Sequence, residues 1–91
     1  MYLHLGQDKV VATQEIVGIF DLDTSTVSKA TRDYLARAEK EKRVINICSD
    51  LPKSFIVCGR RKEERLIYIS QISSATLLKR STFIESLTNV K

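Results

Sequence analysis

The stretch Gly59-Arg60-Arg61-Lys62-Glu63-Glu64-Arg65 sets four cations in six residues between two apolar runs, Phe55-Ile56-Val57 and Leu66-Ile67-Tyr68-Ile69. Guanidinium groups make bidentate contacts to phosphate, and arginine to guanine is the commonest specific base contact. A two-stranded ribbon with a basic tip fits a DNA groove. Contact with a polyanion is therefore the chemistry these residues suggest. Glu63 and Glu64 count against it, since they cancel half of the tip's charge unless they pair with their neighbours. Lys53, in the loop before the first run, and Lys79-Arg80, at the end of the last predicted helix, complete the candidate set of Lys53, Arg60, Arg61, Lys62, Arg65, Lys79 and Arg80. A solvated surface is the plain alternative for all of them.

Other chemistries find little support. His4 is the single histidine, on a predicted strand, so a Ser–His or Cys–His nucleophile pair is not expected. Three glycines, at 6, 18 and 59, match neither a Walker loop nor a dinucleotide fingerprint. Asp21 and Asp23 precede a predicted helix, where such a pair reads as a cap. Two cysteines and one histidine are too few for a zinc site. Cys48 and Cys58 each sit in an apolar run and read as buried free thiols of a reducing cytoplasm. No enzyme, metal, cofactor or small-molecule substrate is expected.

The elements that must carry the cations can be read from periodicity. Met1–Leu5, Val10–Ala12 and Ile16–Phe20 read as a three-stranded meander. Gly6-Gln7-Asp8-Lys9 supplies its first turn, and Gly18 marks a bulge or a close backbone approach. Val27, Ala30, Tyr34, Leu35 and Ala38 then line one face of a helix expected over Ser25–Lys42. Asp23, Thr24 and Ser25 are competent caps, and Asp33 with Arg37 is a candidate ion pair. Lys29, Arg32 and Lys40 lie off the apolar stripe and read as a solvated face rather than a recognition surface. Arg43–Cys48 resumes strand character, and the apolar runs around the basic tip form a β-hairpin. A short helix capped by Ser73-Ser74 should end at Lys79-Arg80, with a tail over 81–91 that is helical or docked on a neighbour. The expected class is α+β: a small antiparallel or mixed sheet of about six strands, one central amphipathic helix and one short C-terminal helix.

At 91 residues with 43% hydrophobic content, the chain can form one small domain with a marginal core, which makes self-association plausible. Residues 1–28 carry one lysine against four acidic residues, whereas residues 29–80 carry thirteen Lys and Arg against six. An acidic first third and a basic remainder suit head-to-tail packing of copies, or simply scatter over a solvated surface. The first residues lack the basic start of a secretory signal, and no apolar run approaches a membrane span. A cytoplasmic location with no membrane partner is expected.

"YLHLGQDKVVATQEIVGIFDLD", "LPKSFIV" and "IYISQISSATLLKR" together resemble the RemA/RemB-like regulators of extracellular matrix genes, more the RemB branch than the RemA branch. The likeness covers residues 2–80, with "EIVGIFD", "PKS" and "SSATLLKR" carrying most of its specificity. It implies one RemA/RemB-like domain over 1–80 followed by the tail. It also implies a DNA-binding transcriptional regulator of biofilm-matrix genes, working as a closed ring of identical subunits. In RemA-like members the loop before the fifth strand runs His-Gly-Arg-Arg-Thr-Arg. Here Cys48 to Lys53 aligns with it, so Asp50 and Leu51 stand at the paired-arginine positions and only Lys53 keeps the charge. Glu15 aligns with a further arginine of the family. The resemblance thus leaves two readings: a ring that contacts the backbone of double-stranded DNA, with low sequence specificity, through relocated basic loops, or a ring-forming structural or protein-interaction paralogue that has lost most DNA binding.

Overall fold

Strand β5, Ser54–Cys58, is buried along its whole length and organises the molecule. The computed structural model describes residues 1–48 and 50–89, with side chains through residue 81. Around β5 a four-stranded sheet forms in the order β3-β5-β6-β4, from Ile16–Asp21 (β3), Val44–Asn46 (β4) and Leu66–Ser70 (β6). β5 pairs antiparallel with both β3 and β6, and β4 joins β6 in parallel. It follows that the two edge strands, β3 and β4, run in the same direction.

Because side chains alternate across a strand, β5 feeds two cores. Ile56 and Cys58 face a cluster with Leu3, Leu5, Val11, Tyr68 and Leu77. That face is covered by the hairpin of β1 (Tyr2–Gly6) and β2 (Lys9–Ala12), and by the first turn of helix α3 (Ser74–Asn89). Phe55 and Val57 face the other way, onto Ala38, Tyr34 and Leu35 of helix α2 (Lys29–Lys40). Two fully buried serines hold the sheet to its surroundings, Ser70 to the hairpin and Ser54 to the loop after β6. The Ser70 hydroxyl bonds the Leu5 carbonyl and accepts the Ile72 amide, while Ser54 donates to the Ile72 carbonyl at 2.7 Å.

The six strands and the α+β class agree with the sequence reading, but the strands fall into two sheets. Instead of continuing a meander, β3 leaves the hairpin, because a 3-10 turn at Thr13–Glu15 redirects the chain toward β5. β5 is apolar on both faces and needs neighbours on both sides. Gly18 marks the expected bulge, and the group that comes close to it is a side chain rather than backbone. The β3–β5 register shifts beside it, and a Cβ there would meet the Phe20 ring at 2.5 Å.

The central helix begins later than its periodicity suggests. Asp21 caps a separate short helix α1 (Leu22–Ser25) by accepting the Thr24 amide at 3.0 Å, so neither Asp23, Thr24 nor Ser25 caps α2. Arg32 instead ties the entry to α2 by donating to the carbonyls of Thr26 and Val27, each at 2.8 Å. Asp33 pairs with Lys29 at 3.1 Å rather than with Arg37. The strand expected through Cys48 stops at Asn46, whose side chain accepts the Cys48 amide and turns the chain away. Cys48 and Cys58 are both free, and β6 lies between β4, which Cys48 follows, and β5, which Cys58 ends. The last helix is longer than expected. Ser73 caps it through the Thr76 amide, but no glycine or proline follows Arg80 to stop it, and it runs on to Asn89.

Candidate nucleic-acid interface

The β5–β6 connection carries the basic tip at one end of the sheet. Gly59 begins it at φ +118°, and a Cβ there would lie 2.8 Å from the Glu64 carbonyl oxygen, so the tip closes too tightly for any side chain. Its amide donates to the Glu15 carbonyl at 2.8 Å, fastening the tip to the start of β3. A 3-10 turn at Lys62–Glu64 then folds the loop compactly, with the Glu64 amide on the Arg61 carbonyl. Arg60, Arg61 and Lys62 are all exposed.

These three cations are not equivalent. Arg60 lies 3.5 Å from the Glu15 carboxylate, which offsets part of its charge. Arg61 and Lys62 make no ion pair among the described residues. Arg65 separates from the other three. Counting back from Ile69 and Ile67 by twos puts it on the α2 face of the sheet, where it is half-buried in a groove beside Val17, Phe20 and Tyr34. Its Nε is buried and has no hydrogen-bond partner among the described residues.

Lys53 stands at the opposite end. It is exposed, and it precedes β5 while the tip follows it, a separation of roughly 20 Å at about 3.3 Å per residue. Its backbone is fixed there, with its amide on the Ser70 carbonyl and its own carbonyl accepting from Leu22. Lys79 and Arg80 are exposed on α3, on the hairpin side of the sheet. A single chain therefore gathers Arg60, Arg61 and Lys62 and holds Lys53, Lys79 and Arg80 elsewhere.

Lys40, expected on a solvated helix face, and Lys42, expected to end that helix, both lie at the tip's end of the sheet. α2 runs back toward the start of β4, so its last residue and the turn after it share the tip's end of the sheet. Glu41, Arg43, Lys62 and Glu63 line one shallow depression there. Arg43 is held inward by Glu41 at 2.7 Å and by donation to the Arg65 carbonyl at 3.1 Å. Lys40 and Lys42 are exposed and make no ion pair among the described residues. The parallel β4–β6 pairing is what joins the two loops, and nothing local in the sequence announces it.

The remaining candidate groups support no catalytic arrangement. His4 bonds the Gln7 carbonyl of its own hairpin turn. Burial, with the Glu15 charge nearby, pushes the Cys58 thiol up to about 11, away from a reactive thiolate. No cluster of three or more metal-ligating side chains occurs among the described residues, and no helix among them is long and apolar enough to cross a membrane.

Residues 2–80 match the family model described as extracellular matrix regulatory protein A-like, RemA-like. The chain is also 38% identical over 84 residues to extracellular matrix regulatory protein B of Bacillus subtilis (strain 168), an alignment spanning 92% of this chain and 94% of that one.

Proposed function

The chain belongs to the RemA-like family of extracellular matrix regulatory proteins, and on that premise we propose that it binds duplex DNA in the cytoplasm, as a homo-oligomeric ring, to regulate matrix genes. The observation that supports this reading best is the end of the sheet where Lys40 at the end of α2, Lys42 in the turn after it, and Arg61 and Lys62 in the tip are exposed cations with no ion pair among the described residues. Compact cations on a rigid loop end suit phosphate contacts, which position a protein on DNA without reading its sequence. A few contacts per chain bind weakly. Repeating them on a closed assembly makes each later contact intramolecular and raises avidity with no new chemistry. Such binding responds to the curvature and deformability of DNA more than to base identity.

Replacing Arg60, Arg61 and Lys62 together with alanine tests the reading. Anisotropy with random-sequence duplex across a salt series should show weaker binding, and a log–log slope flatter by about 0.9 for each phosphate that the variant no longer neutralises. Unchanged affinity and slope would remove the tip from the interface.

A second reading is favoured by one feature. Asp50 and Leu51 are both exposed where the resemblance places arginines, and Leu51 is 77% exposed. A bare leucine beside a carboxylate suits a protein partner better than a phosphate. No binding of duplex by the wild-type chain at low salt would select this alternative.

A further inference from the structure

The α2 face of the sheet has a groove at each edge, and the two are complementary in charge. At the β3 edge, Val17, Phe20, Ala30, Tyr34, Val57 and Arg65 line an apolar groove of about 330 Å³. Val17 and Phe20 are 52% and 41% exposed there, and the guanidinium of Arg65 is the one charge among these residues. At the β4 edge, on the far side of α2, Leu35, Val44, Asn46 and Ile69 line a second cleft whose one charge is Glu39. Neither Arg65 nor Glu39 makes an ion pair among the described residues. Both lie toward the tip end of the sheet, since Arg65 immediately precedes β6 and Glu39 is the next-to-last residue of α2.

We infer that these two edges are the halves of one heterologous interface, in which the β3 edge of one copy seats against the β4 edge of the next and Arg65 meets Glu39. The direction of the strands favours this pairing. β3 and β4 run the same way and, among the described residues, each pairs with a strand on one side only, so a neighbour can continue the sheet in parallel with α2 kept on the same face. The two-fold alternatives leave both charges without a partner: with α2 on one face, β3 against β3 or β4 against β4 runs antiparallel, which sets the two Arg65, or the two Glu39, at opposite ends of the seam. A head-to-tail contact that closes makes a ring. The inference rests on the oligomeric part of the preceding reading and names the surface that reading requires.

Light scattering at graded concentration, with circular dichroism to verify folding, tests it. Arg65→Glu and Glu39→Arg should each raise the concentration at half-assembly by at least about tenfold, since like charges then face each other. The double variant carries the pair reversed and should assemble again. An equimolar mixture of the two single variants should do so too, because every groove then finds a cleft of opposite charge. Assembly of both single variants at the wild-type concentration would overturn the interface and leave the ring reading standing. So would failure of both the double variant and the mixture to assemble. A monomeric wild-type chain would overturn both.

Discussion

Cys58 shows how burial sets the chemistry of one side chain. It is 6% exposed, and loss of water raises its thiol from 9.0 to about 11, with the Glu15 charge adding to the shift. Cys48 is half-buried, its thiol on the Asp50 carbonyl at 3.1 Å. At pH 8 a disulfide reagent should therefore modify Cys48 at least about tenfold faster than Cys58, because the thiolate is the attacking species. Equal rates would mean that the first core opens readily. The shift also has a consequence for stability. Above pH 9 the unfolded chain ionises this thiol while the folded chain keeps it protonated, so stability falls as pH rises from 9 toward 11. Cys58→Ala should flatten that decline. The same scale separates the cations: Arg61 and Lys62 make no ion pair among the described residues, Arg60 shares its charge with Glu15, and Arg65 is turned inward. Inspection of the run Arg60–Arg65 as a string shows four equal charges; the alternation from Ile67 and Ile69 was the available signal that Arg65 differs.

Helix α2 ends in a Schellman arrangement, with the Arg43 amide on the Ala38 carbonyl and the Lys42 amide on the Glu39 carbonyl. Lys42 occupies the left-handed position at φ +61°, where glycine is usual. Lys42→Gly should therefore raise stability by about 0.5–1 kcal/mol, read by urea denaturation. On the proposed function it should also weaken DNA binding, because the strained residue is one of the tip-end cations. A gain in stability with unaltered binding would remove Lys42 from the interface. The elements themselves were largely legible, since strands, central helix and basic hairpin follow from period and turn residues. Pairing was less so. The β3–β5 ladder joins Ile16–Asp21 to Ser54–Cys58, and the parallel β4–β6 ladder joins residues more than twenty apart in the chain. Such partners are chosen by burial on both faces of β5, which no local window contains. Lys40 and Lys42 were missed as site residues for this reason, because only that parallel ladder brings them to the tip.

At the scale of the whole molecule, the direction of the edge strands connects assembly to the DNA surface. If copies add β3 to β4 in parallel, every strand in the ring keeps the orientation it has in the single chain and every basic tip lies on the same rim. Lys53, at the opposite end of β5, then lies on the other rim of the ring. The acidic start of the chain fits this arrangement, since Glu15 stays with its own tip while the cations of α2 and the tip repeat along the rim. Pooling of weak contacts is the central physical claim, and the salt dependence of wild-type DNA affinity measures it most directly. The five tip-end cations of one chain, Lys40, Lys42, Arg60, Arg61 and Lys62, account for a log–log slope of at most about −4.5. A slope clearly steeper than this, from protein shown by light scattering to be oligomeric on the duplex, is the expected result. A slope near zero, or a monomer that binds with no more than the single-chain value, would contradict it.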